Sequence, residues 1–553
     1  MRPIARNILA GLILLLSAAL GAQASDIYIP SSLRSLPTDE PKTVLILSLP
    51  ATGHANPLVI LAAELAKRGH HVTFITAASY TVPEYARNTS IEFRLFPDER
   101  DFAQALIGIA SRAGHGSTQL EKILSLARHW SSFTALQKLF LGDLLANSLE
   151  VMKDRRPDVV VGGKLIQRTT SALGQYWDVP VISQFITSAI VENQAFADSF
   201  TPSIMDGLPD PKLTFPQAIK VLIGRMVMMG LRESLTFQHL NIIDSIDDSH
   251  PEYHLKERVN AHPAQPAIDL VSSEWGYEPI TLRTAATRMG GMWVPSGQDL
   301  RTQHPSVLEW LESASRPVVY TSTGTMVMPS NATLLAMFEA FNSTTEYQTL
   351  WSLKKVSHAN LLRLLGDTQW PSHIRVEHFV PQMAVLAHPS VKVFFTHGGF
   401  SSVVEGIWNG KPMLGVPYHG DQPYNIAYIA RLKAGLFLDK AVLASEDRER
   451  SRTEIQTKLQ TLLRDPSYAK NILPLQRLAQ AGGGVIKGAN IVEETIAMGS
   501  TEHLRYADNT RVIASAYMFL AILLLGAVAL SMWGITVAAR SLWRRLSKKQ
   551  KAE

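Results

Sequence analysis

Short apolar runs recur along this chain, each leading through a turn into a helix-like stretch. TVLILSL (43–49) reads as a strand. The turn-rich loop PATGHANP (50–57) follows, then LVILAAELAKRG (58–69), which has helical periodicity and ends in glycine, then the next strand, HVTFIT (71–76). Similar runs return at PDVVVGG (157–163), VPVISQF (179–185) and AIDLVSS (267–273). A loop with Gly290, Gly291, Pro295 and Gly297 interrupts the pattern. It restarts at PVVYTSTGT (317–325), a helix-like run over 331–342, QTLWSLK (348–354), IRVEHF (374–379), VKVFFTHGG (391–399) and KPMLGVP (411–417). Two successive parallel α/β units predict two Rossmann-like domains facing a cleft, over 42–290 and 291–500. The segment FPQAIKVLIGRMVMMGLRESLTFQHL (215–240) reads as an apolar helical insertion. Interdomain packing, a greasy substrate pocket and membrane contact all fit it.

With 553 residues, 46% hydrophobic and 18% charged, the chain can bury large cores and is not a disordered sequence. It has no cysteine, which excludes disulfides and thiolate metal sites. The net charge of +5 lies in the two ends. Arg2 and Arg6 supply part, and Arg540, Arg544, Arg545, Lys548, Lys549 and Lys551 against Glu553 supply more than the rest, so the body is slightly acidic and has no nucleic-acid footprint. Membranes explain both ends. Arg2 and Arg6 precede an apolar run from Ile8 to Leu20, and Ala22-Gln23-Ala24 offers a small-x-small cleavage site, so 1–24 reads as a signal peptide, with an uncleaved anchor as the alternative. Val512 to Ala539 carries no charge over 28 residues, enough at about 1.5 Å per residue to cross about 30 Å of hydrocarbon. The basic tail at 540–553 then lies in the cytosol, which predicts a single-pass type I membrane protein. Lys549 and Lys551 resemble a dilysine endoplasmic-reticulum retrieval signal. Asn88, Asn331 and Asn342 begin N-glycosylation sequons in the lumenal part.

The stretch FFTHGGFSSVVEGIWNGKPMLGVPYHGDQPYN (394–425) gathers the polar groups. Its strand ends in a Thr396-His397-Gly398-Gly399 turn. Ser401 and Ser402 are positioned to cap the following helix, which ends at Gly410. A glycine turn leading into a helix N-terminus offers free N–H groups and a partial positive charge, which suit phosphate. His397 adds a donor at that mouth. Glu405, two turns on, is placed to accept both hydroxyls of a ribose diol, and Asp421 and Gln422 arrive at the same edge to grip sugar hydroxyls. Together these describe a nucleotide-sugar site. Taken one at a time, a structural His, a solvated Glu and a turn-forming Asp are open alternatives.

The whole pattern closely resembles the donor signature of the UDP-glycosyltransferase family: Gln382 to His397 is fifteen residues, His397 to Glu405 eight, and Glu405 to Asp421 sixteen. LAHPSV and GKPMLGVP between them also look like the family. The resemblance covers the layout of 43–500 and is strongest over 317–425. It implies the GT-B arrangement, a UDP-sugar co-substrate and no metal or other cofactor; no Asp-x-Asp occurs in the chain. By position it implies that Gln382 and Phe379 bind uridine, with Phe379 where many relatives have Trp. His397, Gly398, Gly399 and Ser402 would hold the diphosphate together with Ser322 and Thr325 of a Ser-x-Gly turn. Glu405 would bind the ribose, and Asp421 and Gln422 the transferred sugar.

In the first half, LPATGHANP resembles the family's Gly-His-x-x-Pro loop, whose His is the catalytic base. That implies His54 deprotonates an acceptor hydroxyl as it attacks the anomeric carbon from the face opposite UDP, an inverting hexosyl transfer to a small lipophilic acceptor such as a sterol, terpenoid, polyketide or lipid. His70 and His71 read as structural. The chain departs from the family at Gly163, where relatives carry an Asp that orients the His; Asp158, at the start of that strand, cannot reach. Another carboxylate, a water or an altered catalyst each accounts for this. The alternative reading is a catalytically silent UDP-sugar-binding subunit; a UDP-sugar epimerase is a third. Sugar, acceptor and oligomeric state are not legible.

Overall fold

The computed structural model describes residues 40–98, 138–185 and 241–505, with short gaps at 275–276, 278–285, 326, 367–369, 419–420, 444 and 446, plus the separate positions 102, 105, 135, 136, 526 and 533. The signal at 1–24, the insertion at 215–240, the span at 512–539 (apart from 526 and 533) and the tail at 540–553 lie outside these residues. Among the described residues no helix is long and apolar enough to cross a membrane.

The described residues form two wholly parallel sheets. The first has seven strands: β1 (Thr43–Leu47), β2 (His71–Ala77), β3 (Glu92–Phe96), β4 (Val159–Gly163), β5 (Val181–Phe185), β6 (Ile268–Val271) and β7 (Thr287–Met289), in the order β3-β2-β1-β4-β5-β6-β7. The second has six: β8 (Val318–Ser322), β9 (Gln348–Ser352), β10 (Ile374–Glu377), β11 (Val391–Thr396), β12 (Met413–Gly415) and β13 (Gly435–Phe437), in the order β10-β9-β8-β11-β12-β13. The two-domain α/β expectation holds. The strands that sequence reading missed, β3, β7 and β13, are short edge strands; β3 (EFRLF) carries charged residues where the inner strands are apolar.

Helices cover both faces of each sheet, so inner strands need apolar residues at every position. In β1, Val44 and Ile46 pack into one core, while Leu45 and Leu47 pack into the core on the opposite face; all four are fully buried. Each such side chain contributes about 1.5–3 kcal/mol of transfer free energy. Helix α1 (Thr52–Lys67) buries Ala55, every residue from Pro57 to Ala62, Leu65 and Ala66, so its middle is enclosed all round rather than along one stripe. It stops where Gly69 takes φ +92°.

The remaining helices used below are α2 (Glu84–Arg87), α3 (Asn331–Asn342), α4 (Gln382–Ala387), α5 (Phe400–Trp408), α6 (Gln422–Arg431) and α7 (Gly484–Met498). Helix α7 leaves the second lobe and packs on α1, and its Ala489, Ile491 and Val492 join the core of the first sheet. Polar groups fix it there. Arg68 pairs with Glu493 at 2.7 Å, Arg288 with Glu494 at 2.7 Å and Lys487 with Glu274 at 2.7 Å. His70 is buried; its Nδ1 accepts from the Lys42 N–H at 3.2 Å, which leaves Nε2 to donate to Glu493 at 3.0 Å, so it is a structural residue held at both ring nitrogens. Where the chain crosses between lobes, Gly291 (φ +82°) meets Gly484 so closely that a Cβ would lie 2.7 Å from its backbone.

Candidate active site

Parallel strands present all their carboxyl ends at one edge, and in each lobe the connections leave from there. After β1 the chain turns through Ser48–Ala51 directly into α1, so His54 lies in the first turn of a helix rather than in the expected loop. Pro57, the last residue of the expected loop, sits instead in the second turn of the helix, where the hydrogen bond it forfeits is to the carbonyl of exposed Gly53. His54 is half-buried, and burial lowers its pKa from 6.5, which keeps the imidazole neutral and able to take a proton. Its ring has no hydrogen-bond partner among the described residues. At the end of β4, Gly163 has an ordinary extended backbone (φ −64°, ψ 147°), and a Cβ there would meet nothing within 4 Å. Asp158 is tied down at the far edge of the sheet, where its Oδ2 accepts from the Thr43 N–H at 2.7 Å.

In the second lobe the turns after β8 and β11 interlock. Ser322 Oγ accepts from the Gly324 N–H at 3.3 Å, and Gly324 takes φ +68°. The His397 ring, 8% exposed, lies between the two turns: a Cβ on Gly324 would approach its Cε1 to 2.4 Å, and one on Gly399 would approach its Nε2 to 2.5 Å. Gly398 takes φ +82°, with Ile426 Cγ1 2.3 Å from where its Cβ would be. Both glycines of the motif are therefore demanded by the protein's own packing, quite apart from any ligand.

Helix α5 starts at Phe400, ahead of the two serines expected to cap it, and Gly399 precedes it without a side-chain cap. Ser401 and Ser402 thus sit inside its first turn and do not cap it. The capping acceptor comes from elsewhere: Asp421 Oδ2 accepts from the Phe400 N–H at 3.2 Å and from Asn425 Nδ2 at 2.6 Å. Burial raises the Asp421 pKa, and those hydrogen bonds pull it back. Asn425 Nδ2 also donates to the Gly398 carbonyl at 3.0 Å, and Gln422 Oε1 accepts from the Tyr418 N–H at 2.8 Å.

Gln382 opens α4 and joins the remaining motif residues. Its Nε2 donates to Glu405 Oε2 at 2.5 Å and to Ser402 Oγ at 3.1 Å, and its Oε1 accepts from the Tyr320 hydroxyl at 3.2 Å. Burial pushes the half-buried Glu405 up to about 7, a shift the Gln382 hydrogen bond opposes. Phe379, just before, is 67% exposed. Thr325 is exposed, and its carbonyl accepts from Lys354 Nζ. The structure thus brings Gln382, Ser402 and Glu405 into one network and gathers His397, Gly398, Gly399 and Asp421 around the start of α5. Sequence reading missed Tyr320, Asn425 and Lys354, which lie outside the motif spacing; the buried Asn425, on the helix that follows Asp421, was the one with a readable signal. The sequon residues Asn88, Asn331 and Asn342 are all exposed, the last two at opposite ends of α3. Helices α1 and α5 touch, so the His54 helix and the Glu405 helix meet across the lobes.

A family model described as UDP-glucoronosyl and UDP-glucosyl transferase matches residues 43–481. UDP-glucuronosyltransferase 2B15 of Homo sapiens is 24% identical over 515 residues, covering 88% of this chain and 91% of that protein. UDP-glucuronosyltransferase 2B9 of Macaca fascicularis is 23% identical over 439 residues, covering 75% and 76%. Among solved structures, the calicheamicin glycosyltransferase superposes with a TM-score of 0.53 at 17% identity over 83% of this chain and 99% of that one. UDP-glucose: anthocyanidin 3-O-glucosyltransferase in complex with UDP gives 0.51 at 18% identity over 83% and 100%. These neighbours share the GT-B fold. With a family match across most of its length, two parallel-sheet lobes and a nucleotide-sugar motif at one carboxyl edge, this chain belongs to the UDP-glucuronosyl and UDP-glucosyl transferase family and is a glycosyltransferase that uses a UDP-sugar donor.

Proposed function

We propose that this enzyme transfers a hexose from its UDP-sugar, with inversion, to a hydroxyl of a small lipophilic acceptor, with His54 as general base. What supports this is that α1, the helix carrying His54 with its imidazole kept neutral by burial, contacts α5, the helix carrying Glu405 of the Gln382–Glu405 network. His54 takes the acceptor proton as the oxygen attacks the anomeric carbon. Gln382 and Phe379 hold uridine, Glu405 accepts from the ribose hydroxyls, and Asp421 and Gln422 face the sugar. His397, Ser402, Ser322, Thr325 and the Gly398-Gly399 turn hold the diphosphate. The start of α5 stabilises the charge on departing UDP, so no metal is assigned a role.

The test is UDP release over a panel of lipophilic hydroxyl acceptors, run in EDTA. Wild type should turn over, and His54→Ala should lose about 10²–10⁴-fold while still binding UDP. Unimpaired turnover in His54→Ala removes the base assignment. Gly163 favours a second reading, a silent UDP-sugar-binding subunit: calorimetric binding of UDP-sugar with no turnover on any acceptor would support it. We also propose that the enzyme is anchored by 512–539 with its body in the endoplasmic-reticulum lumen and glycans on Asn88, Asn331 and Asn342. A glycosidase-sensitive mass shift in microsomes supports that topology, and its absence opposes it.

A further inference from the structure

Gln382 is fixed at its backbone and at its amide. The backbone is placed at the start of α4, where the next N–H, that of Met383, donates to Gln298 Oε1 at 3.1 Å. The amide nitrogen has two protons, and both are committed: one to Glu405 Oε2 at 2.5 Å and one to Ser402 Oγ at 3.1 Å. The amide oxygen accepts from the Tyr320 hydroxyl at 3.2 Å. Tyr320 comes from the inner strand β8. It is 1% exposed, its ring stacks on Phe394 of β11 at 5.3 Å and 16°, and it shares a core with Val403, Val404 and Ile407 of α5. An inner parallel strand asks only for an apolar ring at such a position, and phenylalanine would supply one. The hydroxyl is the added feature, and it reaches Gln382. A side-chain amide has two ends of nearly the same shape and opposite hydrogen-bonding sense. A carboxylate only accepts, so Glu405 demands the nitrogen end. A phenol that burial keeps protonated supplies the donor that the oxygen end then needs. Turned the other way, the amide would set two acceptor oxygens against each other at Glu405. Held this way, it occupies Glu405 Oε2 and leaves Oε1, which accepts nothing among the described residues, for a ligand.

We infer that Tyr320 is a positioning residue for donor binding: from within the core its hydroxyl orients the Gln382 amide, the amide holds one oxygen of Glu405, and the other oxygen is left to accept from the ribose diol. This rests on the assignment of Glu405 to the ribose. Tyr320 touches no substrate and acts only through Gln382, which gains a second duty beside the uridine.

The test compares UDP with 2′,3′-dideoxyuridine diphosphate by calorimetry, in wild type, Tyr320→Phe, Gln382→Met and the double variant. Tyr320→Phe keeps the ring and its stacking on Phe394, and a thermal melt checks that the fold is intact. Wild type is expected to bind UDP more tightly than the dideoxy analogue. Tyr320→Phe should lose about three- to tenfold in UDP affinity, the worth of one hydrogen bond, and lose nothing for the analogue. In the Gln382→Met background the same change should cost nothing further, because the amide through which Tyr320 acts is already gone. An equal loss for both ligands would mean that Tyr320 only packs the core. A loss that persists without the Gln382 amide would mean that it acts by another route, and undiminished UDP affinity would mean that it orients nothing. Each of these three outcomes overturns the inference alone. If wild type itself does not discriminate between the two ligands, the Glu405 assignment fails and the inference goes with it.

Discussion

Replacing Glu405 with Gln separates two demands on one side chain. Burial raises the carboxyl from 4.5 to about 7, so in the folded protein the proton is held more tightly than in the unfolded chain. A group shifted this way favours the folded state fully below pH 4.5, and that contribution is lost as pH rises through about 7. By pH 8 the ionised carboxylate weighs against folding by about 3 kcal/mol, from the rule of about 1.4 kcal/mol per pKa unit. Gln keeps the shape, stays neutral and still offers an oxygen to Gln382 Nε2. Glu405→Gln should therefore be more stable than wild type at pH 8 by about 1–3 kcal/mol, with the gain shrinking to about 0.5 kcal/mol or less at pH 4.5. Thermal or denaturant unfolding at the two pH values measures it. Function should move the other way. Wild type is about one-tenth ionised at pH 6 and about nine-tenths at pH 8, so its affinity for UDP-glucose should rise about tenfold between them, while the variant binds weakly and without pH dependence. An equal stability gain at both pH values, or none at pH 8, would refute the reasoning, because the effect would then owe nothing to ionisation.

Two further substitutions probe the turns and the base. Gly163→Asp fits the backbone and meets open space, and an added carboxylate near His54 should raise its pKa, move the acid limb of the kcat profile to higher pH and increase kcat about tenfold; an unchanged profile would show that the end of β4 does not address His54. Gly399→Ala keeps an allowed backbone (φ −59°, ψ 140°) but drives a methyl to 2.5 Å from His397 Nε2, so it should cost about 1–3 kcal/mol in stability and weaken UDP binding; a wild-type melt with wild-type affinity would remove His397 from the site.

The two sheets were legible because inner parallel strands carry apolar side chains on both faces, as Val44 to Leu47 do, and this leaves an unbroken run in the sequence. The edge strand Glu92–Phe96 was not legible, since only Phe96 of its five residues is fully buried. In the site, the intervals linking Gln382, His397, Glu405 and Asp421 were readable because these residues follow three strands, β10, β11 and β12, with His397 and Glu405 both after β11. The caps were not. Ser401 and Ser402 have the right chemistry, but Asp421, from the next crossover, supplies the oxygen.

Local order in the chain was enough to determine two α/β lobes and a glycine turn at the carboxyl end of a strand, because backbone periodicity and glycine placement are written in neighbouring residues. Tertiary structure alone decided three things. It set His54 inside a helix, since Pro57 breaks nothing when the carbonyl it abandons is exposed. It gave α7 its particular partners on the first lobe, since an amphipathic face does not name them until Arg68 and His70 meet Glu493. And it brought α1 against α5, a contact between segments far apart in the chain that exists only once both lobes have folded and met.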